Sequence, residues 1–207
     1  MPAGVFLDRD GTLIDVVRDE QTGSISVAFH PNQLRLLPGV VEGLRILERE
    51  GFVLGIATNQ PAPAKGQFSA EAVRRTNSAL VALLASNGIR IAAVQTCMHH
   101  PEGGPGGDPS LVGPCSCRKP KPGLVDSLIT ELGVSREASW MVGDSVGDVE
   151  AGRAAGVRTA LVFALNRCEL CPLRPPAGAL GSTKGGILPD LTASTFLELA
   201  QAIVGAR

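Results

Sequence analysis

The chain has 207 residues, 44% of them hydrophobic and 19% charged, which is enough for one well-cored globular domain and too apolar for disorder. Nineteen Lys and Arg against 20 Asp and Glu leave a formal net charge of −1, which excludes the broad basic surface of a nucleic-acid or anionic-membrane binder. Aromatic residues make up 3%, with no Tyr, so platforms for stacking bases are few. The first residues carry no basic region followed by an apolar run, and no stretch reaches the roughly eighteen apolar residues of a membrane span. The expectation is a cytoplasmic protein, monomeric, without nucleic-acid or membrane partners.

Val5-Phe6-Leu7 has the apolar character of a strand buried on both faces. It delivers Asp8 and Asp10 to the carboxyl edge of a parallel sheet, where ligands of open α/β sheets bind. Alternation along extended backbone turns both acids into one crevice and Arg9 elsewhere, and Gly11 permits a tight turn. Two carboxylates in one site call for a cation, and Mg²⁺ takes both carboxylate and phosphate oxygens.

Residues 14–37 form a long polar loop with a small hairpin at Ile25-Ser26-Val27, either folding over the crevice or remaining a mobile surface loop. Pro38-Gly39 opens a helix that Gly51 ends. A second buried strand, 52–57, ends on Thr58-Asn59-Gln60, whose hydroxyl and amides can donate to phosphate oxygens. Ser69 caps a helix over 69–87, and a third strand covers 89–96.

Cys97-Met98-His99 and Cys115-Ser116-Cys117 then frame a glycine- and proline-rich loop that cannot build a core of its own. Cys97, His99, Cys115 and Cys117 make up a Cys₃His set suited to structural Zn²⁺, with His100 as the alternative imidazole. Arg118, Lys119 and Lys121 leave the loop as a cationic cluster that can receive phosphate. A helix over 123–132 follows, then a strand at 140–142 that ends in Gly143-Asp144, with Asp148 four residues later on a helix through 155, and a fifth strand at 158–162. The tail at 163–187 is rich in Gly and Pro; its Cys168 and Cys171 have no further Cys or His after them to complete a metal site. A last helix is expected over 194–204.

Asp8-Arg9-Asp10-Gly11-Thr12, Thr58-Asn59-Gln60, Arg118-Lys119-Pro120 and Gly143-Asp144 to Asp148 together resemble the haloacid dehalogenase-like phosphatases over about residues 5–162. The two-part zinc loop resembles that of the D-glycero-D-manno-heptose 1,7-bisphosphate phosphatases, and histidinol-phosphate phosphatases share a similar loop. The resemblance implies a three-layer α/β sandwich with a central parallel sheet, and a single domain over 1–207. Loop-sized segments after Asp10 and after Asn59 leave no room for a cap domain.

It further implies that Asp8 is the nucleophile and Asp10 the general acid and base, with Mg²⁺ on Asp8, the Asp10 carbonyl and Asp144. Thr58 and Lys119 would hold the transferring phosphoryl group, and Asn59, Gln60, Arg118 and Lys65 would contact a small phosphorylated sugar. For Asp148 two roles stay open: a metal-bound water, or the cap of its helix. The chain departs from the heptose enzymes at Val16-Val17-Arg18-Asp19-Glu20 and at Pro61-Ala62-Pro63-Ala64-Lys65-Gly66, which touches the substrate rather than the reaction. A zinc-loop binding module without activity is the competing class, but it would have no use for Asp8, Asp10 and Lys119.

Overall fold

Val5 and Leu7 pack on one side of the first strand and Phe6 on the other, so the strand feeds two separate cores. The structure is a computed structural model and describes residues 1–18, 21, 23–162 and 188–206. Its strands are β1 (Ala3–Leu7), β2 (Val17–Arg18), β3 (Ile25–Ser26), β4 (Val53–Asn59), β5 (Ile91–Cys97), β6 (Ser135–Gly143), β7 (Arg158–Val162) and β8 (Leu191–Ala193). Its α-helices are α1 (Val40–Arg49), α2 (Ala70–Ser86), α3 (Gly123–Leu132), α4 (Val146–Ala154) and α5 (Phe196–Gly205).

Among the described residues the main sheet has six strands in the order β5-β4-β1-β6-β7-β8, every pair parallel. Helices α1, α2 and α5 cover one face through Leu44, Leu47, Leu80, Leu84, Leu199 and Ile203. Helix α3 covers the other with Leu124, Val125 and Leu128 against Phe6 and Met141, and α4 packs there on β6 and β7. Each such fully buried side chain contributes about 1.5–3 kcal/mol. From β1 the chain steps one way to β4 and β5 and the other way to β6, β7 and β8. The end of β1, and with it Asp8, therefore lies at the switch point where open α/β sheets bind ligands.

The sheet is larger than the sequence implies in two places. Strand β6 begins at Ser135, five residues before the apolar run, and its register on β1 shifts between Ala3 and Val5. Buried Ser139 compensates for the irregularity, since its hydroxyl donates to the Ser135 carbonyl and accepts from the Gly4 N–H at 2.8 Å. Strand β8 is only three residues long. Asp190 anchors it by accepting from the Thr159 N–H at 2.7 Å and the Thr159 hydroxyl at 3.0 Å while pairing with Arg153 at 2.6 Å.

The 14–37 loop is tied down. Ile14 bridges Leu36, the Asp15 N–H donates to the Arg35 carbonyl at 2.8 Å, and Ala28 and Leu34 are buried. The hairpin strand β3 pairs with Val17–Arg18. No cap domain interrupts the described residues: β1 to α1 holds only the two-residue strands and one 3-10 turn, and β4 leads to α2 through ten residues. No described helix is long and apolar enough to cross a membrane. Cys168, Cys171 and the whole 163–187 tail lie outside the described residues.

Candidate active site

Three strand ends and one loop exit meet at the switch point. Lys119, arriving from the loop that closes on Cys117, reaches Asp8 Oδ1 at 2.6 Å, Asp148 Oδ1 at 2.6 Å and the Ala57 carbonyl at 2.7 Å. Burial alone would make a lysine easier to deprotonate. Here the Asp148 and Asp8 carboxylates overcome burial and hold the Lys119 ammonium above the ordinary lysine range. Burial pushes Asp8 the other way, up to about 8; Lys119 opposes this, while Asp148, Asp144 and Asp10 reinforce it. The site thus contains more acids than its lysine alone can neutralise.

Asn59, at the end of β4, donates from Nδ2 to the Lys119 carbonyl at 3.0 Å and accepts the Lys119 N–H on Oδ1 at 3.1 Å. Both polar ends of this amide are therefore engaged with protein, and it fixes Lys119 where the sequence suggested a substrate contact. The Lys119-Pro120 peptide is cis.

Asp10 does share the crevice, but Arg9 does not turn away. The backbone bends after Leu7, strand alternation ends there, and the fully buried Arg9 folds back onto Asp10, with Nε to Oδ2 at 3.0 Å and Nη2 to Oδ1 at 3.2 Å. Gln60, 1% exposed, donates from Nε2 to Asp10 Oδ2 at 2.7 Å and to Thr58 Oγ1 at 2.9 Å. Like Asn59, it is occupied with protein groups.

Asp148 combines a cap with a charge pair. Its Oδ2 accepts from the Ser145 N–H at 3.1 Å and the Ser145 hydroxyl at 2.5 Å, closing the capping box of α4, while Oδ1 faces Lys119. Two glycines make this crowding possible. A Cβ on Gly143 would lie 2.2 Å from Asp148 Cγ, and one on Gly11, whose φ is +85°, would lie 2.2 Å from Asp144 Oδ2.

Asp8, Asp144 and Asp148 each offer a carboxylate oxygen within 4.8 Å of the others. Hard oxygen donors converging at the switch point, with Asp8 driven up by burial and by the neighbouring acids, fit Mg²⁺. The second cluster is Cys97, His99, Cys115 and Cys117. A tetrahedral zinc with Zn–S near 2.3 Å sets S···S edges of about 3.8 Å. Cys97 and Cys115 are 3.8 Å apart, and His99 Nδ1 lies 3.8 Å from Cys97 Sγ and 3.5 Å from Cys117 Sγ, whereas Cys97 and Cys117 at 2.9 Å would open on metal binding. The donor set fits Zn²⁺. His100, the alternative ligand, instead bridges Val112 through its backbone.

Around the rim, Arg118 donates to the His99 carbonyl at 3.4 Å, and Lys121 donates to the Cys115 carbonyl and so braces the loop. Slight burial, then the charges of Lys65 and Arg118, lower the proton affinity of His100. Arg9 and Asn77 are the residues that the sequence reading missed. An arginine set between two acids in an otherwise apolar run was the available signal, whereas nothing local marked Asn77.

A buried lysine bridging Asp8, just past the end of β1, and Asp148, on α4, at the switch point of a parallel sheet places positive charge where a phosphate can be received. A HAD-hydrolase-like family model matches residues 116–164. The D-glycero-beta-D-manno-heptose-1,7-bisphosphate 7-phosphatase of Pasteurella multocida is 33% identical over 163 residues, covering 78% of this chain and 82% of that protein. The enzyme of the same name from Rhodopseudomonas palustris is 37% identical over 152 residues, covering 73% and 78%. Among solved structures, the D,D-heptose 1,7-bisphosphate phosphatase of B. bronchiseptica, in complex with magnesium and phosphate, matches with TM-score 0.71 at 23% identity over 99% of each chain. That last likeness establishes the fold. The chain is a HAD-like phosphatase and belongs to the family of the D-glycero-beta-D-manno-heptose-1,7-bisphosphate 7-phosphatases.

Proposed function

We propose that the chain is a cytoplasmic enzyme that removes the C7 phosphate of D-glycero-beta-D-manno-heptose 1,7-bisphosphate through an aspartyl-phosphate on Asp8. The observation that carries this reading is the Asp8 to Lys119 contact of 2.6 Å at the switch point, with Asp10 two residues away. An Asp8 oxygen attacks phosphorus, and the bond from phosphorus to the sugar oxygen breaks with its electron pair on oxygen, which takes a proton from Asp10. Asp10 then accepts a proton from water as the water oxygen attacks phosphorus. The bond to Asp8 breaks, freeing its carboxylate and inorganic phosphate.

Lys119 and the Thr58 hydroxyl hold the charge of the transferring phosphoryl oxygens. Asp8, Asp144 and the Asp10 carbonyl would hold Mg²⁺, with Asp148 beside them. When bound, the ion supplies fixed positive charge that keeps Asp8 ionised and neutralises phosphoryl oxygens. Zn²⁺ on Cys97, His99, Cys115 and Cys117 would shape the loop that delivers Arg118 and Lys119.

The substrate assignment draws on the activity that the curated relatives share and on Arg118 and Lys65, which offer cations to a second phosphate. Phosphate release from the heptose bisphosphate, a monophosphate of the same sugar and histidinol phosphate tests it. The bisphosphate should show the highest kcat/KM, and Arg118→Ala should lose more on it than on the monophosphate. A higher kcat/KM for histidinol phosphate would overturn the choice of substrate and leave the hydrolase chemistry standing.

A further inference from the structure

The three donors on Asp10 are unevenly shared. Oδ2 accepts from both Arg9 Nε (3.0 Å) and Gln60 Nε2 (2.7 Å), whereas Oδ1 accepts from Arg9 Nη2 alone (3.2 Å). A carboxylate oxygen has two in-plane lone-pair sites, so Oδ2 is filled and Oδ1 keeps one free. A proton carried by Asp10 must then sit on Oδ1.

The orientation of Gln60 is not arbitrary. Its Nε2 donates to Asp10 and to Thr58 Oγ1 together, and a flipped amide would set Oε1 against the carboxylate. Because Thr58 Oγ1 accepts from Gln60, the proton of its own hydroxyl is available to a phosphoryl oxygen. Arg9, in turn, is held on its far side: Nη1 donates to Asn77 Oδ1 at 2.7 Å, Nη2 to the Ala28 carbonyl at 2.8 Å, and Asn77 Nδ2 to Thr96 Oγ1 at 3.0 Å. Helix α2, strand β5 and the 14–37 loop therefore all bear on the pose of one carboxylate.

We infer that Gln60 and Arg9, the latter braced by Asn77, are positioning residues that fill Oδ2 of Asp10, commit Oδ1 to proton transfer, and through Gln60 turn the Thr58 hydroxyl outward as a donor. The inference rests on the hydrolase reading above and deepens it. It separates the proton-transfer step, which these residues serve through Asp10, from nucleophilic attack by Asp8, on which Gln60 bears only through Thr58.

The test uses leaving groups. A sugar alkoxide needs a proton as it departs, whereas the phenolate of p-nitrophenyl phosphate does not. First-turnover rates with Mg²⁺ are measured on the full chain and on Gln60→Leu, with a sugar monophosphate and with p-nitrophenyl phosphate. Both esters lose the orientation of the Thr58 hydroxyl, so the sugar ester should slow by about tenfold more than the aryl ester does. Asn77→Ala, which loosens Arg9 without touching Asp10, should show the same asymmetry more weakly, and thermal melts identify any variant that fails to fold. Equal losses on both esters in folded variants would overturn the inference alone. Absence of turnover by the unmodified enzyme would defeat the functional reading and this inference with it.

Discussion

Asn59 grips Lys119 by both of its backbone polar groups, with 3.0 Å to the carbonyl and 3.1 Å to the N–H. The end of β4 is thereby joined to the exit of the zinc loop, and the ammonium is placed against Asp8 without any contribution from bound substrate. Asn59→Leu removes both hydrogen bonds and leaves a buried backbone pair unsatisfied, a loss of about 1–3 kcal/mol. Chemical denaturation should read that loss, and kcat should fall about tenfold to a hundredfold if Lys119 acts on the charge of the transition state as proposed. Unchanged kcat in a destabilised protein would mean that Lys119 finds its place without this grip.

Lys119 and Asp8 should respond oppositely to neutral replacement. Lys119→Met leaves Asp8 and Asp148 buried together with no cation, a cost of about 3–5 kcal/mol. Asp8→Asn relieves the crowding of acids, and Lys119 keeps Asp148, so the metal-free variant should be at least as stable as the unmodified chain. Phosphatase activity in Asp8→Asn should fall to background, since the nucleophile is gone. Substantial residual turnover would count against the covalent route.

If zinc binds Cys97, His99, Cys115 and Cys117, it should brace the chain that carries Lys119, which stands two residues beyond Cys117. Protein purified without chelators should carry about one zinc per chain by elemental analysis. Cys115→Ser should lower that content and reduce activity, with the six-stranded sheet intact by circular dichroism. Zinc-free protein with full activity would show that Asn59 alone suffices to position Lys119.

Much of this arrangement was legible in the sequence because the relevant signals are local. Val5-Phe6-Leu7 followed by two acids, and a Cys-x-His and a Cys-x-Cys pair around a glycine-rich loop, each bring their chemistry within a few residues. What was not legible depends on partners distant in sequence. Arg9 points to Asp10 because Asn77, 68 positions away, and the Ala28 carbonyl receive its other donors, and strand alternation misled at the residue where the strand had already ended. Asn59 and Gln60 have the composition of phosphate-binding side chains, and only the fold reveals that Lys119 and Asp10 already occupy them. Strand β8 escaped because Leu191–Ala193 is too short for a period and is held by Asp190 on Thr159, a contact spanning 31 positions.

The raised Asp8 should couple magnesium binding to pH. Its ordinary value is 3.8, and burial with three neighbouring acids pushes it to about 8 in the folded, metal-free protein. Between those values the native carboxyl holds a proton that the unfolded chain has released. This group's stabilising contribution is therefore fully present below pH 3.8 and is lost as pH rises through about 8. Magnesium binds the ionised form, so it must displace that proton. Its affinity should rise by up to about tenfold per pH unit from pH 6 to 8 and level off above. Calorimetric titration at pH 7 in two buffers of different ionisation enthalpy should report close to one proton released per magnesium bound, and Asp8→Asn should abolish the release. The gain in melting temperature on adding magnesium should likewise be larger at pH 8.5 than at pH 6. Affinity independent of pH across this range would mean that Lys119 already keeps Asp8 ionised and that the acids around it do not control metal binding.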